Sequence, residues 1–196
     1  MKIGLLGGAF NPIHVGHLAL AKAAYEKLNL NEVWFLPTGN HPLKNEKLLP
    51  LKDRVYLLKH ALLELESFRI SLFDAIIEKP TYSDELIKRL SREYPEYEFY
   101  FLVGEDIIPE LHNWHNYRWL LDNVRICVFT RNGIFPDHRL STDELAKITF
   151  LKMPPVDISA TEIRKKVNKG ESIVGLVPDI NLRKTIQLLK KLNKKK

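Results

Sequence analysis

The stretch GGAFNPIHVGH, residues 7–17, places two imidazoles three residues apart at the start of an apolar helical pattern. Gly7 and Gly8 let a backbone turn tightly and approach a ligand, and Pro12 stops the preceding apolar run from continuing as a strand. A helix start offers unpaired N–H groups and the positive end of a dipole, which suits a phosphate. His14 and His17, at i and i+3, share one side of that first turn, where imidazole N–H groups can bond phosphate oxygens. Two other readings stand beside this one. The histidines could be local turn residues. They could also join His112 and His115, which repeat the spacing in HNWH, in a metal site; no nearby pattern supplies the carboxylates that usually orient histidine ligands.

A second stretch, DISATEIRKK at 157–166, can also hold an anion. Ser159 can cap a helix start, and Glu162, three residues on, completes the pattern of a capping box. Arg164 follows within about the first turn, and its planar fork matches phosphate oxygens. Two anion sites suit a triphosphate. Neither the G-x-x-x-x-G-K-[ST] loop nor the G-x-G-x-x-G fingerprint is present, so the phosphate chemistry differs from both.

Alternating elements must position these residues. KIGLLG, EVWFLP, FRISLFDAII, EFYFLVG, RICVFT and ITFLKM read as strands. Helical patterns fall between them: GHLALAKAAYEKLN, LKDRVYLLKHALLEL, SDELIKRLSREY, WHNYRWLLDN, STDELAK and SATEIRKKVNKG. A last helix follows Pro178. This alternation predicts an α/β fold, a Rossmann-like, doubly wound, mostly parallel sheet with helices on both faces, in one domain over 1–196. Ligands in such sheets bind beyond the carboxyl ends of the strands, and each motif follows a strand.

Composition narrows the classes. The 196 residues are 45% hydrophobic and 28% charged, as in ordinary globular chains. No apolar run reaches the roughly 18–20 residues that span a bilayer. The opening MKIGLLGGAF is a poor export signal, so a cytoplasmic location is expected. Cys127 is the single cysteine, which rules out an internal disulfide and a thiolate zinc cluster. The net charge of +6 favours anionic partners. Part of it sits in KKLNKKK at 190–196, expected to be a frayed, solvated end; a nucleic-acid-binding tail is the sharper alternative, but no basic stripe interleaved with aromatics supports it.

GGAFNPIHVGH resembles the G-x-F-x-P-x-H-x-G-H signature of the nucleotidyltransferase superfamily, and ISATEIR at 158–164 resembles its I-S-[AS]-T-x-[IL]-R motif. The resemblance implies that Gly7, Gly8, Ala9, Phe10, His14, His17, Ile158, Ser159, Thr161 and Arg164 bind ATP, with His14, His17 and Arg164 catalytic. Gly170-Glu171-Ser172 continues the match. LVGEDIIPELHNWHNYRWLLDN, residues 102–123, and KPTYSDEL, residues 79–86, are similar to segments of the bacterial nicotinate mononucleotide adenylyltransferases. That similarity implies Gly104 and Asp106 near the adenosine ribose and Trp114 stacked on the pyridine. It also implies Tyr82 and Ser83 at a helix start facing the nicotinate carboxylate. Asn40, Lys44, His115 and Arg131 complete the implied acceptor contacts. Two positions depart from the family pattern. Leu43 stands where a histidine is usual before Lys44, with His41 nearby, and His115 stands where tyrosine is common.

The family activity is transfer of AMP from ATP to the 5′-phosphate of nicotinate mononucleotide, giving deamido-NAD and pyrophosphate. Mg2+ is expected to arrive with ATP, and no metal-ligating residues are assigned. ATP and nicotinate mononucleotide are the expected partners, with neither nucleic acid nor membrane, and with homo-oligomerisation left open. Nicotinamide mononucleotide, phosphopantetheine and riboflavin phosphate remain alternative acceptors.

Overall fold

In the computed structural model, residues 1–39, 48–73, 75, 82–130, 139–153 and 158–194 are described. Among these residues, six strands carry the fold: β1 (Lys2–Gly8), β2 (Glu32–Pro37), β3 (Phe68–Ile70), β4 (Glu98–Gly104), β5 (Arg125–Thr130) and β6 (Thr149–Lys152). Among the described residues, seven α-helices accompany them: α1 (Val15–Lys27), α2 (Leu51–Ala61), α3 (Ser83–Glu93), α4 (Tyr117–Asn123), α5 (Thr142–Ala146), α6 (Ala160–Lys169) and α7 (Leu182–Lys194). The sheet order is β3-β2-β1-β4-β5-β6. The chain winds outward from β1 on one side, returns to β4, and winds outward on the other. This strand order is that of the doubly wound arrangement expected from the alternation.

The chain divides into two compact units. The first comprises Met1–Gly7, Leu20–Trp34 and Thr81–Pro155. Here β1, β4, β5 and β6 are parallel neighbours, with Ile3 opposite Phe99, Leu5 opposite Phe101, Leu102 opposite Cys127 and Phe129 opposite Leu151. Apolar runs make these strands because both faces of such a sheet are covered, and Ile3, Leu5, Leu102, Ile126 and Val128 are all buried. Cys127 lies among them, and burial pushes its thiol up to about 11, so it stays a packing residue.

The second unit comprises Gly8–Ala19, Phe35–Pro80 and Val156–Lys196. Its core includes Phe10, Ile13, Phe35, Leu57, Leu58, Ile163 and Val167. Asn181, on a 3-10 turn (Asp179–Asn181) before α7, donates its Nδ2–H to the carbonyl of Leu57 on α2 at 2.8 Å.

Three elements differ from the sequence expectation. The strand expected over FRISLFDAII ends at Ile70, and the Ser71 N–H donates to Phe35 O at 2.9 Å just beyond it. The Ser71 hydroxyl accepts from the N–H of Phe73, a local bond that competes with strand pairing. WHNYRWLLDN is helical only from Tyr117, because Trp114 is extended and Asn116 sits at φ 48°. Residues Glu105–Asn113 before it form a 3-10 helix that contains Pro109. The basic chain end continues α7 as far as Lys194 rather than fraying from 190, and the Asn193 side chain bonds that of Asn168. Among the described residues, no helix is long and apolar enough to cross a membrane.

Candidate active site

The turn after β1 explains why two histidines sit three residues apart. His14 precedes the first helical residue, Val15, and its carbonyl accepts from the N–H of His17 at 3.0 Å. In return the His14 N–H donates to Nδ1 of His17 at 3.2 Å. His17 therefore plays the part of the reaching-back Glu in a capping box, with imidazole in its place. The consequence is chemical. Nδ1 accepts, so the neutral ring carries its proton on Nε2 and presents it as a donor. Burial holds the His17 pKa well below its ordinary 6.5, and neighbouring His14 pushes the same way. A second proton at Nδ1 would also face the His14 N–H, which favours the neutral form further.

The two rings stack at 3.6 Å between centroids, and Phe10 meets His17 edge-on at 5.0 Å. Phe10 is itself held in the left-handed region, at φ 45°, with its ring 1% exposed and tilted against Phe35. A strained non-glycine residue persists only where its surroundings over-determine it. Here buried packing does so, and the strained residue backs the histidine. A Cβ on Gly7 would meet nothing within 4 Å, so the strand end borders open space.

The helix bearing the second motif is hydrogen-bonded to the turn of the first through Arg164. Ser159 caps α6, its hydroxyl accepting from Glu162 N at 3.1 Å. This is the serine half of the expected box; the reciprocal arrangement, with both bonds, is found at Ser141 and Glu144 on α5. Arg164 bridges the two motifs: Nη1 donates to Asn11 O at 2.9 Å and Nη2 to Thr161 Oγ1 at 3.0 Å. The fork expected to hold phosphate oxygens also ties α6 to the β1 turn. The structure brings together His14, His17, Thr161 and Arg164 with the capped start of α6, where Ile158 and Ala160 flank Ser159. Together they give a neutral donor, a guanidinium with five N–H groups and a helix N-terminus, which can bind an extended polyanion.

In the other unit, Gly104 ends β4 and Asp106 lies in the first turn of the 3-10 helix. A Cβ on Gly104 would sit 2.5 Å from Asp106 Oδ1, so the glycine is what lets this carboxylate fold back against the strand end. Asp106 is exposed and open to bond a hydroxyl pair. Trp114 is partly exposed, with one edge against Phe101 at 6.1 Å.

Tyr82 precedes Ser83, the first residue of α3, and stacks on His115 at 4.4 Å and 15°. Asp84 joins these segments. Its carboxylate is fully buried and accepts from His115 Nδ1 at 2.9 Å, Asn116 Nδ2 at 3.0 Å and Lys88 Nζ at 2.9 Å. Burial alone would raise its pKa; the three donors and the Lys88 charge outweigh that and bring it to about 2. Asp84 was not singled out from the sequence, although an Asp in a first helical turn is a visible signal. His115, the departure from the family pattern, takes the aromatic place by stacking and adds a bond that tyrosine would not make at Nδ1. Asn40, Lys44 and Arg131, with His41, lie outside the described residues. Among the described residues, no group of three or more His, Cys, Asp or Glu side chains could hold a metal ion. His112 and His115 are therefore not part of such a cluster.

The cytidylyltransferase-like family model matches residues 5–166. A protein of Exiguobacterium sibiricum named "Probable nicotinate-nucleotide adenylyltransferase" is 37% identical over 179 residues, covering 91% of this chain and 93% of that protein. A protein of Coprothermobacter proteolyticus with the same name is 39% identical, covering 90% of this chain and 88% of its own. In fold, the chain is similar to the Plasmodium falciparum nicotinic acid mononucleotide adenylyltransferase complexed with NaAD. The TM-score there is 0.77 at 22% identity, over 98% of this chain and 96% of that one. With its two motifs set as described, the chain belongs to the cytidylyltransferase-like family and, within it, to the nicotinate-nucleotide adenylyltransferases.

Proposed function

We propose that this chain transfers AMP from ATP to the 5′-phosphate of nicotinate mononucleotide, releasing pyrophosphate and forming deamido-NAD, a step of NAD biosynthesis. The observation that carries the reading is the His14–His17 arrangement, with its neutral Nε2–H donor and with Arg164 bonded to the same turn. The acceptor phosphate is already anionic at neutral pH, so no general base is required. Catalysis is positioning plus neutralisation of charge along an in-line displacement at the α-phosphorus. His17 and His14 are assigned to the α- and β-phosphate oxygens, and Arg164 with the start of α6 to the β- and γ-phosphates. Gly104 and Asp106 are assigned to the adenosine ribose. Trp114, Tyr82, Ser83 and His115 take the nicotinate ring and its carboxylate, and Asn40, Lys44 and Arg131 complete the acceptor set.

Mg2+ belongs to the substrate, as MgATP. The clamp offers nitrogen donors rather than the carboxylate oxygens that hold Mg2+, which suits phosphates bringing their own ion. A helix start and His115 facing a carboxylate favour the nicotinate acid over the neutral amide. The test follows pyrophosphate release with MgATP and each of nicotinate mononucleotide, nicotinamide mononucleotide and 4′-phosphopantetheine. Nicotinate mononucleotide should give the highest kcat/KM; a preference for phosphopantetheine contradicts the reading.

A further inference from the structure

Arg54 lies on the buried face of α2, beside Leu57 and Leu58, and is 2% exposed. A buried side chain on an amphipathic helix is ordinarily apolar, because moving a cation out of water is costly. Arg54 has no carboxylate partner among the described residues, and desolvation alone shifts its pKa, downward. Its three nitrogens are instead spent on backbone carbonyls. Nη1 donates to Ala9 O at 2.7 Å, Nη2 to Thr38 O at 2.8 Å and Nε to Leu49 O at 3.0 Å. These acceptors belong to three segments: the one just after β1, the one just after β2, and the one just before α2.

Each acceptor leads toward the phosphate-binding turn. Fixing Ala9 O fixes the peptide that enters Phe10, the strained residue whose ring backs His17. Leu49, held by Arg54 through its carbonyl, uses its own N–H to bond Asn11 Oδ1 at 3.0 Å. Asn11 in turn accepts from Arg164 through its carbonyl. Thr38, besides its bond to Arg54, donates its N–H to Gly8 O at 3.0 Å. The carbonyls of Gly8, Ala9 and Asn11 are thus each held by a donor from elsewhere in this unit.

We infer that Arg54 is a positioning residue of the transfer reaction: its rigid fork sets the 9–11 turn, and through it the His17 ring and Arg164, while its charge lies beneath the turn where a polyphosphate would bind. The inference rests on the reading of His17 and Arg164 as phosphate ligands. A lysine keeps the charge but cannot serve three carbonyls in one plane. A methionine keeps neither and fills a similar volume.

The test compares R54K, R54M, H17A and the double variant R54K/H17A as full chains, with folding checked by circular dichroism. Displacing a catalytic group by about 1 Å can cost about 10²-fold, so R54K is expected to lower kcat by about that factor. KM for nicotinate mononucleotide should change little. The imidazole nitrogen resonances of His17 should lose the pattern of an accepting Nδ1 and a protonated Nε2. In the H17A background, adding R54K should cost little more. R54M should weaken binding of inorganic pyrophosphate more than R54K does, since it also removes the charge. If R54K keeps wild-type kcat and the His17 resonances, or if R54K and H17A multiply independently, the inference falls. An H17A enzyme with full turnover overturns the underlying reading instead. Should no Arg54 variant fold, the wild type decides: the Arg54 Nε–H resonance must shift when magnesium pyrophosphate is titrated in, and an unmoved resonance overturns the inference.

Discussion

At the scale of single residues, the proposed chemistry rests on a protonation state that the backbone enforces. His17 is neutral because it accepts a backbone N–H while partly buried beside His14. H17A should lower kcat by about 10²–10³-fold, the usual cost of one oriented donor at developing charge, and stopped-time pyrophosphate assays would measure it. The same state links to stability. The folded pKa lies below 6.5, so as pH falls the unfolded chain takes up the proton first. Stability from this residue is fully present above pH 6.5 and is lost as pH drops from there toward the folded pKa. In urea melts between pH 7 and pH 5, the wild type should therefore lose stability relative to H17A. Asp84 joins the segments assigned to the other substrate. D84N keeps the shape but loses the negative charge paired with Lys88 and the carboxylate acceptor for His115. It should cost about 1–3 kcal/mol in thermal melts and raise KM for nicotinate mononucleotide while leaving that for ATP near wild type.

At the scale of elements, helix starts and ends divide into those assigned to binding and those assigned to folding alone. Ser159 caps α6 where the polyphosphate is assigned, so S159A should lose about 1 kcal/mol of stability and also raise KM for ATP. Gly170 closes the same helix at φ 74°. G170A should lose a similar amount, about 1–2 kcal/mol for a left-handed alanine, with both KM values unchanged, so the pair separates cap chemistry from helix stability. What the sequence made legible was local. The i, i+3 histidines, the Ser159 cap and the Gly170 stop all depend on neighbours within one turn. What it hid was long-range. Arg54 reaches Ala9 across 45 residues, Asp84 reaches His115 across 31, and Arg164 reaches Asn11 across 153. No pattern within α2 distinguishes Arg54 from an exposed arginine, so only the fold reveals it as buried. The long 3-10 segment Glu105–Asn113 was likewise invisible, since its periodicity is neither that of a strand nor that of an α-helix.

At the scale of the whole molecule, the order β3-β2-β1-β4-β5-β6 reverses between β1 and β4, and the segments after these two strands hold the GGAFNPIHVGH and G-x-D motifs. Alternation showed only that each motif follows a strand; the strand order that sets both beside the reversal comes from the fold. A net charge of +6 draws anionic substrates toward the protein. Raising salt beyond about 0.1 M, where screening acts over about 10 Å, should lower kcat/KM for MgATP more than kcat, as steady-state assays across a salt series would show. The most direct test of the central claim follows the atoms. With nicotinate mononucleotide and ATP labelled at the α-phosphate, the account predicts label in deamido-NAD and unlabelled pyrophosphate, with H17A slowing both together. Label left behind in AMP or ADP, or none transferred to the acceptor, would contradict it.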